Sequence, residues 1–169
     1  SVRIYQRQEA ENLVEIAKSS PHKIVQIERK TIHKNPPPPF ITSSLQQESG
    51  SKLGLSPDQT MKVAQSLYEK GLITYMRTDS VSLSEEFCSV AKAWLEKKDP
   101  QNVPKKPKKY RKAQNSQEAH EAIRPSNLNY PSAQLKQEIS ESEFSLYLLI
   151  WKRAIASQCR PALIDKTKI

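Results

Sequence analysis

Tyr75 stands two residues before Arg77 in the stretch Gly71-Leu72-Ile73-Thr74-Tyr75-Met76-Arg77-Thr78-Asp79-Ser80. If the stretch is extended, its side chains alternate faces, with Ile73, Tyr75 and Arg77 on one and Thr74, Met76 and Thr78 on the other. A phenol beside a guanidinium suits attack on a phosphate, the first as nucleophile and the second as charge clamp. An ordinary half-buried strand with Tyr and Arg at the core edge fits the same pattern. A second candidate is Glu118-Ala119-His120-Glu121-Ala122-Ile123-Arg124-Pro125. One helical turn there would put His120 and Arg124 on one face before Pro125 ends it. The plainer alternative is a loop histidine held by a carboxylate.

Several elements must position these groups. Ser56-Pro57-Asp58 opens a helix with a cap, a proline at the first position and an acid in the first turn. Met61, Ala64, Leu67 and Tyr68 share one face of it, and Lys70-Gly71 ends it. Upstream, Thr42 or Ser43 is placed to cap a helix running to about Leu53, with Leu45 and Leu53 inward. Joined through Leu53-Gly54-Leu55-Ser56, the pair reads as helix-turn-helix, and the strand-like stretch after it would make the fold winged-helix-like. Downstream, Ser82-Leu83-Ser84-Glu85 reads as a capping box for a helix from Ser84 to about Lys98, burying Phe87, Val90, Ala91, Trp94 and Leu95. A weak helix is predicted over Ser132–Ser140 and a strong one over Glu141–Gln158, with Phe144, Leu148, Trp151 and Ile155 as its core face.

The first third reads as strand (Val2–Tyr5), helix (Glu9–Lys18) and strand (Lys23–His33), too little to fold alone. Pro36 to Pro39 is the clearest boundary, an extended and stiff spacer. Pro161 breaks the last helix, and Ala162–Ile169 reads as a strand returning to the first subdomain. The expected class is therefore mainly α with short β segments (α+β): a winged-helix-like domain over 37–160 and a small strand-containing flanking subdomain from 1–36 and 161–169.

The 169 residues carry 27 Lys+Arg against 18 Asp+Glu, a net charge of +9 that favours a polyanionic partner, most often nucleic acid. Lys105, Lys106, Lys108, Lys109, Arg111 and Lys112 cluster around Tyr110, as a nucleic-acid contact or as a solvated loop. Cys88 and Cys159 match no metal spacing, and His22, His33 and His120 are scattered, so no zinc site assembles. Two reduced thiols are the simpler expectation for the cysteines. No apolar run is long enough to cross a membrane, and no signal peptide is present, which points to the cytoplasm. The chain begins within a segment that reads as structured and ends in a strand-like run, as a piece of a longer polypeptide would.

Three motifs then line up in order. Pro-Pro-Pro-Phe-Ile-Thr-Ser-Ser-Leu-Gln-Gln-Glu (Pro37–Glu48), Gly-Leu-Ile-Thr-Tyr-Met-Arg-Thr-Asp-Ser (Gly71–Ser80) and Glu-Ala-His-Glu-Ala-Ile-Arg-Pro (Glu118–Pro125) resemble bacterial type IA DNA topoisomerase I. Leu149-Ile150-Trp151-Lys152-Arg153 is similar to that family as well. The resemblance implies that Tyr75 is the nucleophile, attacking a single-strand phosphodiester and becoming linked to the 5′ phosphate. It implies that Arg77 contacts the scissile phosphate and that His120 lies near the same site. Thr78 and Arg124 are expected beside Arg77 and His120 as DNA contacts. The central domain would be the catalytic-tyrosine domain, and the flanks parts of the neighbouring arch domain.

The chemistry is consistent with these residue types. A free phenol ionises near pH 10 (about), so it is a poor nucleophile at neutral pH without help. Arg77 would stabilise charge in the pentacovalent transition state. His120 would donate to a phosphate oxygen or relay a proton. The phosphotyrosine link conserves bond energy, so relaxation of negative supercoils needs no ATP. The family also carries an acidic, magnesium-binding Toprim domain, and nothing here matches it. Mg2+ is thus expected outside this chain, with no metal bound by it, and the segment alone is expected to be inactive. The expected partners are single-stranded DNA and other domains of the same polypeptide, in a nucleoid-associated enzyme with no membrane contact. A non-catalytic winged-helix DNA-binding module is the alternative; it leaves Tyr75 and His120 without a role.

Overall fold

Serine caps open three of the helices and glycine stops close two. In the computed structural model, which describes residues 3–106, 108, 110, 121–128 and 133–169, the elements are α1 (Arg7–Ser19), β1 (Glu28–Lys34), α2 (Thr42–Leu53), α3 (Pro57–Glu69), α4 (Glu85–Lys98), a 3-10 turn (Pro100–Asn102), α5 (Ala133–Glu138), α6 (Glu141–Ser157) and β2 (Ala162–Lys168). The chain is mainly α with short β segments, in agreement with the expected class. It divides into two units, Ser1–Ile32 with Leu163–Ile169, and His33–Ala162.

In the first unit α1 is held by exposed pairs such as Arg7–Glu11 at 2.7 Å, and none of its residues is buried. The sheet has two strands, β1 paired with β2, and Thr31 donates to Asp165 at 2.6 Å. One helix and a two-stranded ribbon cannot enclose a core, so Leu13, Val14, Val25 and Leu163 stay exposed. Two predicted strands shrink here. Arg3–Tyr5 is irregular, and the strand expected from Lys23 begins only at Glu28.

The second unit holds the core. Helices α2 and α3 pack on each other and both pack on α6. The turn between α2 and α3 uses Gly54 at φ +68° as the left-handed stop of α2. Ser56 caps α3 by accepting from the Gln59 N–H, while the Gln59 side chain accepts from the Ser56 N–H. The helix-turn-helix is therefore present. Apart from the ends of β1 and β2, however, β structure among the described residues of this unit is limited to two isolated bridges, Phe40–Ile123 and Ile73–Pro125.

Side-chain facing departs from the predicted stripes in two helices. In α6 the buried face is Leu146, Tyr147, Ile150, Trp151, Ala154 and Ile155, while Phe144 and Leu148 are only partly covered. The helix lies between α2 and α3 on one side and α5 on another, so its buried stripe is wider than one seam and rotated from the expected one. In α4, Phe87, Ala91 and Leu95 are buried, but Val90 is exposed. Trp94 instead reaches Trp151 edge to face, with ring centroids 5.2 Å apart. A buried carboxylate also ties α3 to α6: Glu143 accepts from Ser66 and Lys70, each at 2.6 Å.

Candidate active site

The tyrosine segment starts from a sharp helix stop. At the end of α3 the Gly71 N–H donates to the Tyr68 carbonyl at 2.8 Å and the Leu72 N–H to the Leu67 carbonyl at 2.9 Å. These two bonds form a Schellman motif, and its left-handed position is filled by Gly71 at φ +71°. The chain reverses there and enters Ile73.

From Ile73 the segment is not the strand that alternation predicts. Only Ile73 makes a bridge, and the rest is bends and irregular backbone. Burial follows a different rhythm: Ile73 is 2% exposed and Met76 1%, whereas Tyr75 is 43% exposed and Arg77 is exposed too. Two apolar side chains three apart pin the turn into the core, and the phenol and guanidinium are left in solvent. The separation of Tyr75 and Arg77 from the core thus survives without a strand to impose it. The Tyr75 ring meets Tyr68 of α3 edge to face, with centroids 5.2 Å apart and planes at 66°. Arg77 makes no hydrogen bond or ion pair with any other described residue.

The backbone on each side of Tyr75 is anchored to a different part of the chain. On the N-terminal side, the Thr74 N–H donates to the Arg124 carbonyl at 2.9 Å. The Thr74 hydroxyl donates to the Ala122 carbonyl at 2.7 Å and accepts from the Arg124 N–H at 3.0 Å. On the C-terminal side, Thr42 holds the turn. Its N–H donates to the Thr78 carbonyl at 2.9 Å, its hydroxyl donates to the Met76 carbonyl at 2.8 Å, and the same oxygen accepts from the Thr78 N–H at 2.9 Å. Thr42 is thus not the helix cap that its position suggests. Ile41 occupies the cap, with Ser44 Oγ accepting from the Ile41 N–H at 3.0 Å, which frees the Thr42 hydroxyl for the tertiary contact.

Phe40 completes the junction. Its carbonyl accepts from Ile123 at 2.8 Å, its ring is fully buried, and the Arg153 guanidinium lies 4.4 Å above that ring. Arg153 is itself paired with Glu48 of α2. The three motifs picked out in the sequence therefore meet at one place, along the backbone that carries Tyr75.

Residues 121–125 are extended rather than helical, since Ile123 and Pro125 form the two bridges. Arg124 is turned inward: it pairs with Glu121 at 2.6 Å, donates to the Pro125 carbonyl at 3.1 Å and lies 4.8 Å over the Phe87 ring. A DNA contact by Arg124 would have to compete with that pairing. Glu121 also accepts from the Ser84 N–H at 2.5 Å. Ser84 is the cap of α4, two residues later than the start of the predicted capping box, and the third helical residue is Phe87, which has no acceptor to reach back. Glu121 supplies that acceptor from another part of the chain. Burial pushes the Glu121 carboxyl up, but the hydrogen bonds from Arg124 and Ser84 with the Arg124 charge outweigh it and hold the group below the usual carboxylate range.

His120 lies outside the described residues, as do Lys109, Arg111 and Lys112 of the basic cluster. Thr78 is half-buried, and its hydroxyl accepts from the Ser80 N–H at 3.0 Å. In the basic cluster Lys105 and Lys106 are exposed, and Lys108 donates to Asn35 at 3.1 Å. Tyr110 donates to the Ser157 carbonyl at 2.7 Å, and burial, with the nearby Cys159, pushes its phenol up to about 12. A cavity of about 570 Å³ lined by α4 residues with Lys105, Lys108 and Tyr110 is not lined by Tyr75 or Arg77. Neither Cys88 nor Cys159 forms a disulfide. Among the described residues no three His, Cys, Asp or Glu side chains converge to hold a metal ion. No helix among them is long and apolar enough to cross a membrane. Sequence reasoning missed Thr42 and Thr74 as anchors, because neither local spacing nor residue type distinguishes a tertiary clamp from a cap or a strand position.

A family model described as DNA topoisomerase matches residues 1–169. DNA topoisomerase 1 of Synechococcus elongatus is 47% identical over 160 residues, covering 92% of this chain and 18% of that protein. DNA topoisomerase 1 of Rickettsia bellii is 45% identical over 167 residues, covering 93% of this chain and 21% of that protein. The structure of full-length topoisomerase I from Thermotoga maritima superposes with a TM-score of 0.80 at 34% identity, over 99% of this chain and 28% of that one. The chain spans about one fifth of the length of the curated relatives it matches.

Proposed function

This chain belongs to the DNA topoisomerase family, and on that premise we propose that it is the tyrosine-bearing segment of a type IA enzyme. In this reading Tyr75 breaks one DNA strand. Its phenolic oxygen attacks the scissile phosphorus, an Oη–P bond forms, and the P–O3′ bond breaks. The phenol gives up its proton and the leaving 3′ oxygen takes one, so a 3′-hydroxyl and a 5′-phosphotyrosine result. Resealing is the reverse, which is why the cycle relaxes negative supercoils without ATP.

The observation that carries this reading is the presentation of Tyr75. Tyr75 is 43% exposed on a turn pinned by the buried Ile73 and Met76 and hydrogen-bonded on both sides. Arg77, exposed and unpaired among the described residues, is two residues away. A guanidinium in that position would offer two N–H donors to the phosphate as charge builds on it. His120 would complete the site as donor or proton relay, and Thr78 would lie at its margin. Arg124 fits an orienting role better than a direct contact, since its side chain is committed to Glu121.

Other parts of the reading follow from the family. Residues 1–36 and 161–169 would be portions of an arch domain, and 37–160 a winged-helix-related tyrosine domain. Magnesium, which supplies charge stabilisation in such enzymes, would be held by acidic residues outside this chain. The segment alone would then bind single-stranded DNA weakly through its basic balance and cleave nothing. The intact enzyme would work on nucleoid DNA.

The test replaces the corresponding segment of an intact topoisomerase with residues 1–169 and looks for a covalent 5′ adduct on single-stranded DNA. Wild type should form it and Tyr75→Phe should not. An adduct that persists in Tyr75→Phe would sink the nucleophile assignment. No adduct from the wild type would favour a DNA-binding helix-turn-helix module instead.

A further inference from the structure

Thr42 closes a ring around one residue, Arg77. Its hydroxyl donates to the carbonyl of Met76 at 2.8 Å and accepts from the N–H of Thr78 at 2.9 Å, the two peptide groups on either side of Arg77. A hydroxyl has one proton and can accept as well, so a single oxygen satisfies both. The Thr42 N–H adds a third bond, to the Thr78 carbonyl at 2.9 Å. That N–H belongs to the first turn of α2, where it has no partner within the helix, so the contact closes one of the helix's open donors. Inside the ring the Met76 side chain is buried, while the Arg77 side chain projects into solvent with no partner among the described residues.

Among the described residues, Arg77 has no side-chain contact that would fix where its side chain starts. Its Cα and its first torsion can be set only through the backbone, and the Thr42 hydroxyl is the group that holds that backbone. Taking Tyr75 as nucleophile and Arg77 as its phosphate contact, as proposed for this chain, we infer that Thr42 is a positioning residue that acts on cleavage through Arg77. It touches neither phosphate nor phenol. Its effect is to hold the Arg77 backbone at one distance from Tyr75, so that nucleophile and clamp meet the same phosphate.

The test uses the same intact enzyme and compares Thr42→Val, which keeps the shape and removes the hydroxyl, with Thr42→Ser, which keeps the hydroxyl. Thr42→Val should slow adduct formation by about 10- to 100-fold, the scale of a small misplacement of a catalytic group. Single-stranded DNA binding should stay within about twofold, as for a contact made only in the transition state. Thr42→Ser should cleave at close to the wild-type rate. A serine variant that falls as far as the valine variant would overturn the proposal, even if Thr42→Val folds poorly. In Arg77→Ala, adding Thr42→Val should cause no further loss; a full additional loss would mean that Thr42 does not act through Arg77. Wild-type cleavage by Thr42→Val would also overturn it, and would leave the Tyr75 assignment untouched, because that assignment stands or falls with Tyr75→Phe.

Discussion

Thr74 and Arg124, fifty residues apart, are joined by two hydrogen bonds: the Thr74 N–H donates to the Arg124 carbonyl at 2.9 Å, and the Arg124 N–H donates to the Thr74 hydroxyl at 3.0 Å. The same hydroxyl reaches the Ala122 carbonyl at 2.7 Å. Through this pair the residue before Tyr75 is joined to the segment that follows His120. A shift in either strand of the contact would be passed to the tyrosine.

Removing that hydroxyl should therefore cost both stability and rate. Thr74→Val is expected to lower unfolding stability by about 1–3 kcal/mol, because the Arg124 N–H and Ala122 carbonyl lose a part-buried partner. Thr74→Ser should recover most of it. Urea denaturation of the two variants distinguishes them, and equal losses would show that the methyl group, not the hydroxyl, matters.

Arg77 is expected to act on the transition state more than on binding. Arg77→Ala should slow cleavage by about 100-fold or more while changing single-stranded DNA affinity by only a few-fold, roughly the pattern of a lost transition-state charge contact. Single-turnover cleavage and a binding titration give the two numbers. Equal losses would make Arg77 a general phosphate contact.

Acid should loosen the joint between α3 and α6. Hydrogen bonds from Lys70 and Ser66, then Ser140, outweigh burial and pull the Glu143 carboxyl down to about 2. Its folded value is depressed, so its contribution is complete above the ordinary carboxylate value of 4.5 and disappears as the pH falls from there through about 2. Wild type should lose urea resistance between pH 5 and pH 2.5 (about) more steeply than Glu143→Gln, which has no proton to take up there. Parallel pH profiles for the two would show that Glu143 is not the group responsible.

Gly71 supplies a backbone conformation rather than space. Its φ is +71°, and a Cβ built there would meet no atom within 4 Å. Gly71→Ala should thus destabilise by about 1 kcal/mol from left-handed strain alone. Gly71→Asn, which tolerates that region better, should cost less. A thermal midpoint for each settles the order, and a larger loss for asparagine would point to a steric cause.

Much of the local architecture was legible in the residues. Ser56-Pro57-Asp58 opens α3 where it was expected, Lys70-Gly71 closes it, and Ala64 and Leu67 line its buried face. These features are written in contacts between residues a few positions apart, and caps and glycine stops report them directly. The failures came where distant segments compete for the same groups. Alternation around Tyr75 predicted a strand, yet Ile73 and Met76 are the buried pair, because bonds to Arg124 and Thr42 bend the segment. Thr42 read as a cap, and the fold gave the cap to Ile41 and Ser44.

By itself, then, the sequence determined the boundaries of α3, the basic balance, and the presence of a tyrosine and an arginine two residues apart within three recognisable motifs. Only the tertiary structure decided that those motifs converge, that Tyr75 and Arg77 face solvent without a strand, and that Arg124 is held by Glu121. The reason is physical. Capping and helical periodicity are local, whereas a backbone N–H or carbonyl outside a helix takes whichever partner the packed core brings to it.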